Sequence, residues 1–147
     1  MYSDLHLRAS SYKSSSYLHI RGRKHSILLS SIIKMGSNHS ATSIPGASIA
    51  TITSQHDIVV FQSAGCPYCS DAIDKLTSAG YEPSVIEATG EQRTELRSLT
   101  SSSSVPSIWI KGKFVGGCND GPEAWMGISK ILRNNKMDDL LKGETWG

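Results

Sequence analysis

The sequence contains few cysteines and lacks any long apolar segment. Its three cysteines include one C-x-x-C pair, which is not the even and dispersed set that secreted disulfide-rich domains carry. It also lacks a run of about eighteen apolar residues, the length that a membrane-spanning helix requires. We therefore expect an intracellular protein from a reducing compartment that makes no contact with a membrane.

Acidic residues are scarce in the first part of the chain. Residues 1–56 contain six lysines and arginines against one acid, Asp4, whereas residues 57–147 contain nine basic residues and twelve acids. The basic charge therefore belongs to the N-terminal segment and not to one face of a folded domain. Nucleic-acid binding is not expected, because it would need that charge on such a face.

Residues 1–45 are rich in serine, histidine and basic residues and show no sustained periodicity. We expect a disordered leader here, because such a segment buries too little apolar surface to offset its ordering entropy. Its composition is typical of an organellar transit peptide, and equally of a dispensable extension. A third interpretation, N-myristoylation at Gly36, requires translation to begin at Met35. The expected location is the cytoplasm or, if the leader is used, the plastid or mitochondrion.

Residues 46–147 carry alternating strand and helix patterns that predict a single α/β domain. Strands are predicted at 58–61, 84–86, 107–110 and 114–115, and helices at 47–54, 67–79 and 91–100. Leu96 and Leu99 are predicted to face the core. This order predicts a mixed four-stranded sheet with helices on both faces.

A last helix is predicted to begin at Asp120, with Glu123 completing a capping box three residues later. Its core-facing residues would be Trp125, Ile128, Ile131 and Leu132. Leu140 and Leu141 indicate one more short helical turn.

Cys66 and Cys69 flank Pro67 and Tyr68 at the point where the strand at 58–61 leads into a helix. A thiol attacks a disulfide only as the thiolate, and the free amide groups and dipole at a helix N-terminus favour that anion. A lowered pKa would also make Cys66 a good leaving group in the second exchange. Cys69 lies on the same helical face and is predicted to be buried. The pattern indicates a redox-active dithiol with Cys66 as nucleophile and Cys69 as resolving thiol.

A C-x-x-C pair is also half of a zinc site, which needs four ligands. All five histidines lie at or before residue 56, and Cys118 is the only other cysteine. A closed tetrahedral site would therefore need a partner chain or carboxylates, so no metal is expected.

The chain resembles the glutaredoxin family over residues 47–142, and the resemblance rests on three motifs in order. Cys66-Pro67-Tyr68-Cys69 is identical to the motif of the dithiol (CPYC) members, Ser104-Val105-Pro106 matches the family's Thr-Val-Pro, whose proline is cis, and residues 116–120 match its Gly-Gly-x-Asp-Asp. The resemblance implies a thioredoxin fold and a groove that binds glutathione as co-substrate.

The family's glutathione site maps onto Tyr68, Arg93, Val105, Pro106, Gly117, Cys118, Asn119 and Asp120. The resemblance implies that the Val105 backbone pairs with the peptide-like backbone of glutathione and that Arg93 binds its glycine carboxylate. Cys118, Asn119 and Asp120 would lie at a helix N-terminus and hold the γ-glutamyl carboxylate. Taken alone, Arg93 is more often a solvated charge, and Cys118 a passive thiol.

Three substitutions depart from the family pattern. The usual lysine three residues before the first cysteine is Ser63, the first aspartate of the last signature is Asn119, and the threonine of Thr-Val-Pro is Ser104. We expect these changes to affect the affinity for glutathione and not the chemistry.

The resemblance therefore implies a monomeric, glutathione-dependent thiol–disulfide oxidoreductase that acts on glutathionylated and disulfide-containing proteins. One alternative is a dimer that holds a [2Fe–2S] cluster between first cysteines and bound glutathiones, which Pro67 disfavours. The other is a thioredoxin-like protein-disulfide reductase, which the 116–120 signature disfavours.

Overall fold

The computed structural model describes residues 40–143 of the chain. Its elements are α1 (Ile49–Gln55), β1 (Ile58–Gln62), α2 (Pro67–Ser78), β2 (Ser84–Glu87), α3 (Gly90–Thr100), β3 (Ser107–Ile110), β4 (Lys113–Gly116), α4 (Ile128–Arg133) and α5 (Met137–Lys142). None of the helices in this part of the chain is both long and apolar enough to cross a bilayer.

The four strands form one mixed sheet in the order β2-β1-β3-β4. β1 pairs with β2 in parallel and with β3 antiparallel, and β3 pairs with β4 antiparallel. The parallel pair places the C-terminal ends of β1 and β2 at the same edge of the sheet, where the active-site turn follows β1. The predicted mixed four-stranded sheet is confirmed.

Helices cover both faces of the sheet, and every residue of the central strand β1 from Ile58 to Phe61 is therefore buried. Ile58 and Val60 belong to the core cluster that includes residues of α2, α4 and α5. Val59 and Phe61 belong to the second cluster, with residues of α1 and α3. A continuous apolar run, rather than an alternating one, is what a strand covered on both sides requires.

α2 is bounded by the signals that the sequence shows. Pro67 takes its first position, where a missing N–H is tolerated, and the helix ends in a Schellman motif after Ala79. In that motif the Tyr81 N–H donates to the Leu76 carbonyl and the Gly80 N–H to the Thr77 carbonyl, both at 3.0 Å. The predicted end of this helix at Gly80 is confirmed.

The predicted burial of Leu99 is wrong, although that of Leu96 is confirmed. Leu96 is fully buried, whereas the Leu99 side chain is 55% exposed. The buried stripe of α3 consists of Gln92 and Leu96, four residues apart, and Leu99 lies off this stripe on the last turn.

The prediction that the last helix begins at Asp120 is also wrong. α4 begins at Ile128, its N-cap is Gly127 without any side-chain capping bond, and residues 117–127 form a loop. The Gly117 N–H donates to the Asp120 carbonyl (2.7 Å), and the Gly127 N–H donates back to β4 (2.8 Å). These contacts fold the chain against the sheet, and Gly127 has a φ of +97°, outside the helical region.

Residues 40–45 are predicted to belong to the disordered leader, but they contact the domain. The Thr42 N–H donates to the Val85 carbonyl (3.0 Å), and the Thr42 carbonyl accepts from the Glu87 N–H (3.1 Å). The buried Gln92 side chain donates to the Ile44 carbonyl at 3.0 Å. Residues 42 and 44 therefore bond to the folded domain, and the prediction of a disordered leader at residues 1–39 lies outside the described residues.

Candidate active site

The C-x-x-C pair lies where β1 leads into α2. Cys66 is the N-cap of α2 and partly exposed, whereas Cys69 is fully buried in the first turn. The two residues are disulfide-bonded, with their Cα atoms 5.3 Å apart. Cys66 is therefore accessible from solvent and Cys69 is not, which fits the roles of nucleophile and resolving thiol.

The position of Cys66 gives its sulfur the place of a helix-capping side chain. The Cys66 carbonyl accepts from the Cys69 N–H at 3.1 Å and from the Ser70 N–H at 3.3 Å, so the helix begins directly at this residue. Pro67 has no N–H and the Cys69 N–H is taken by the Cys66 carbonyl, so Tyr68 supplies the remaining amide of the first turn, and the disulfide-bonded Cys66 side chain makes no capping hydrogen bond. The positive end of the helix dipole at this position would favour a thiolate once the disulfide is reduced.

A short turn, residues 63–65, connects β1 to Cys66. The Cys66 N–H donates to the Ser63 carbonyl at 3.2 Å, and the Ala64 N–H donates to the Glu87 carboxylate at 2.8 Å. Glu87 was not suggested by the sequence, because only the parallel register that pairs it with Gln62 brings it to this turn.

An open cleft of about 530 Å³ lies beside the dithiol, within the range typical of small-molecule sites. Seven of the eight residues mapped from the family line it: Tyr68, Val105, Pro106, Gly117, Cys118, Asn119 and Asp120. Further lining residues that the sequence did not suggest are Thr100, Ser102, Phe114, Gly121 and Pro122. Arg93, the fourth residue of α3, is partly exposed and is not among the residues that line this cleft.

The Val105–Pro106 peptide bond is cis, as the family resemblance implies. Pro106 is buried and Val105 is partly exposed, and both residues line the cleft. The Val105 carbonyl is 3.8 Å from the Cys66 sulfur. Val105 therefore contacts the dithiol and also lines the cleft.

The other side of the cleft is formed by the loop that follows β4, in which the backbone of Gly116 packs directly against that of Asp120 and Gly121. At Gly116, φ is +101° and an added Cβ would lie 2.3 Å from the Asp120 carbonyl oxygen. At Gly117, an added Cβ would lie 3.3 Å from the Pro106 carbonyl oxygen. The glycines of the signature thus allow the loop to approach both itself and the cis-proline segment.

The implied anion site at a helix N-terminus is not formed by residues 118–120. The first two amides of α4, those of Ile128 and Ser129, already donate to the carbonyls of Gly117 (3.0 Å) and Cys118 (2.9 Å). The neighbouring Asn119 and Asp120 are exposed loop residues. Their contribution to ligand binding would come from the loop itself and from the Asp120 carboxylate, and not from a helix dipole.

Cys118 lines the cleft, but its thiol is hydrogen-bonded to a side chain of α2. The Cys118 thiol donates to Asp71 Oδ2 at 3.0 Å, and Lys75 Nζ lies 2.5 Å from the same oxygen. Burial, followed by the adjacent Asp71 carboxylate, raises the pKa of Cys118. The hydrogen bond from Lys75 lowers the pKa of Asp71. Cys118 is therefore held as a neutral thiol, which is a poor nucleophile.

The chain is similar to known proteins over the part that contains the dithiol. The sequence profile of the glutaredoxin family matches residues 58–115, from β1 to β4. Glutaredoxin of Pseudomonas aeruginosa is 36% identical over 86 residues, which cover 57% of this chain and 94% of that protein. Glutaredoxin-C8 of Oryza sativa is 28% identical over 123 residues, 76% of this chain and 89% of the relative.

A solved structure shows the same fold. The buckwheat glutaredoxin–glutathione complex superimposes with a TM-score of 0.53 at 24% identity, covering 62% of this chain and 81% of that chain. The implied thioredoxin fold is thereby confirmed. These likenesses, together with a disulfide-forming pair at the start of α2, establish that the chain belongs to the glutaredoxin family of thiol–disulfide oxidoreductases.

Proposed function

We propose that this protein uses glutathione to reduce protein–glutathione mixed disulfides and protein disulfides. The observation that carries the proposal is the position of the sulfur of the partly exposed Cys66, 3.8 Å from the carbonyl of Val105, a residue that lines the cleft. A small peptide-like thiol bound along this wall would have its own sulfur beside that of Cys66.

In the first step the Cys66 thiolate attacks the glutathione sulfur of a mixed disulfide. The bond between that sulfur and the substrate sulfur breaks, and the substrate leaves as a thiolate that takes up a proton. Cys66 now carries glutathione in a disulfide. A second glutathione thiolate attacks the bound glutathione sulfur, so that oxidised glutathione leaves and the Cys66 thiolate is restored.

Protein disulfides require the second cysteine. After Cys66 has formed a mixed disulfide with the substrate, Cys69 loses its proton and attacks the Cys66 sulfur, which releases the substrate thiolate and closes the Cys66–Cys69 disulfide. Two glutathiones then reopen it. Because Cys69 is fully buried, external disulfides reach Cys66 first.

Recognition of glutathione would come mainly from main-chain groups. Val105 lines the cleft, and its backbone N–H and C=O would match the peptide-like backbone of the ligand. The Asp120 carboxylate can accept from the γ-glutamyl ammonium, and Tyr68 can pack beside the tripeptide. Arg93 would reach the glycine carboxylate only from outside the cleft, where a guanidinium can still form a bidentate pair.

The proposal is tested by a glutathione-coupled assay on a glutathionylated peptide with three cysteine variants. We expect Cys66→Ser to abolish turnover, since it removes the nucleophile. Cys69→Ser should keep much of the activity on this substrate and lose activity on protein disulfides. Cys118→Ser changes a cysteine that lines the cleft but lies outside the redox pair, so it should keep kcat and change only the KM for glutathione. Leu99→Ala, at an exposed position of α3 that does not line the cleft, is the control and should retain full activity.

Equal loss in Cys66→Ser and Cys69→Ser on the glutathionylated peptide would contradict the assigned roles. Turnover by the wild type that needs no glutathione would contradict the proposed co-substrate.

A further inference from the structure

Glu87, the last residue of β2, holds the turn that precedes Cys66. Its Oε1 accepts from the Ala64 N–H at 2.8 Å, and the Gln62 side-chain amide approaches its Oε2 at 3.5 Å. The Glu87 N–H is already used by the Thr42 carbonyl, at 3.1 Å. The backbone of Glu87 thus bonds the segment at Thr42, whereas its side chain bonds the turn at Ala64.

The parallel register explains why this residue can reach the turn. Gln62 and Glu87 are directly paired at the C-terminal ends of β1 and β2, and the Ala88 N–H donates to the Gln62 carbonyl at 3.0 Å. Beyond this point the chain leaves the sheet, and the bond from the Cys66 N–H to the Ser63 carbonyl lies within the turn itself. The carboxylate bond thus connects the turn to β2, two residues before the nucleophile.

We propose that Glu87 is a positioning residue that fixes Cys66 at the start of α2 by anchoring the Ala64 amide. This inference rests on the proposed function, because it assigns a further residue to the same dithiol. A hydrogen bond from an amide to an ionised carboxylate is stronger than one between neutral groups. The anchor keeps the Cys66 sulfur at the positive end of the α2 dipole, which would favour its thiolate.

Glu87 has two separable effects on the nucleophile. Its hydrogen bond positions the turn, which favours the thiolate, whereas its negative charge opposes a second anion nearby. Two uncharged variants separate them. Glu87→Gln keeps an oxygen acceptor for the Ala64 N–H, and Glu87→Met has the same length but no such acceptor. Any difference between these two variants reports the hydrogen bond and not the charge.

The first readouts follow the fully reduced protein without glutathione. The rate of iodoacetamide alkylation at Cys66 is followed against pH by peptide-resolved mass spectrometry. We expect the midpoint to lie at higher pH in Glu87→Met than in Glu87→Gln. Hydrogen exchange at the Ala64 amide should be faster in Glu87→Met and near the wild-type rate in Glu87→Gln.

The second readout is turnover of the glutathionylated peptide. We expect kcat/KM to be about five- to tenfold lower in Glu87→Met than in Glu87→Gln, the loss that one hydrogen bond corresponds to. If Glu87→Met does not fold, Glu87→Ala takes its place in each measurement.

Glu95 provides the matched control, because its carboxylate accepts from another backbone amide, that of Ile49, at 3.0 Å. That bond ties α3 to the start of α1, away from the dithiol. Glu95→Met should lower the melting temperature relative to Glu95→Gln and leave the Cys66 alkylation profile unchanged.

Identical alkylation midpoints in Glu87→Gln and Glu87→Met would overturn the proposal, and so would an equal shift in Glu95→Met. Failure of the proposed function is distinguishable from this outcome. A wild type without glutathione-dependent turnover, but with alkylation midpoints that differ between the two Glu87 variants, would refute the proposed co-substrate and support the positioning role.

Discussion

Replacing Gly116 by alanine tests whether the tight loop at 116–127 holds the cleft in its binding shape. Gly116 has a φ of +101°, and its added Cβ would lie 2.3 Å from the Asp120 carbonyl oxygen and 2.5 Å from the Gly121 Cα. Gly80 also has a positive φ, +88°, but an added Cβ there would meet nothing within 4 Å. Gly80→Ala is therefore a control that shares the backbone strain and lacks the overlap.

The structure sets the size of the expected effects. Both variants should lose about 1–3 kcal/mol of unfolding free energy, because alanine is strained at such a φ. In Gly116→Ala, the Asp120 carbonyl must also move by about 1 Å to reach van der Waals separation. This movement would break the 2.7 Å hydrogen bond that it accepts from the Gly117 N–H, at a further cost of about 1 kcal/mol.

The same movement should displace the Asp120 carboxylate from the cleft. Since misplacement by about 1 Å can cost up to about 100-fold in rate, we expect the KM for glutathione to rise about tenfold in Gly116→Ala. It should be unchanged in Gly80→Ala. Urea denaturation measures the stability of both variants, and the coupled assay measures KM. Equal stabilities and equal KM values in the two variants would refute the reasoning.

Three further predictions concern stability, each measured by urea denaturation. Because Lys75 lowers the pKa of Asp71, the stability difference between wild type and Asp71→Asn should be present above about pH 4 and shrink as the pH falls below it; a constant difference would contradict this linkage. Gln92→Ala should cost about 2–4 kcal/mol, because this 3% exposed side chain bonds three backbone groups, and a cost below about 0.5 kcal/mol would be inconsistent with them. Leu76→Ala should cost about 2–5 kcal/mol, and Leu99→Ala, at an exposed position, less than about 0.5 kcal/mol; similar losses would contradict the assigned core.

The core of the fold could be predicted from local sequence. The apolar run at 58–61 is covered on both faces, as its lack of alternation indicates. Pro67 and Gly80 mark the ends of α2 correctly, since a proline at the first helical position and a glycine just past the end act through the backbone alone. These features depend on residues that are close in the chain, so no knowledge of tertiary contacts was needed.

The loop before α4 could not be predicted in the same way. Asp120 and Glu123 have the spacing of a capping box, but the chain folds back because the Gly127 N–H donates to β4 and Gly116 packs against the Asp120 backbone. Helical periodicity records only neighbours in the sequence. It contains no information about how closely a strand approaches a loop that follows it.

The sequence by itself determined the dithiol, its place between a buried strand and a helix, and the family to which the chain belongs, because each depends on a short motif in a local context. The tertiary structure alone decided that Asp71 holds the Cys118 thiol, that Glu87 reaches the Ala64 amide, and that α4 has no free N-terminus for an anion. These pairs are distant in the chain, and their meeting is set by sheet register and by the packing of helices on the sheet. Side-chain chemistry was thus readable from the sequence, whereas the partner of each polar group was fixed only by the folded chain.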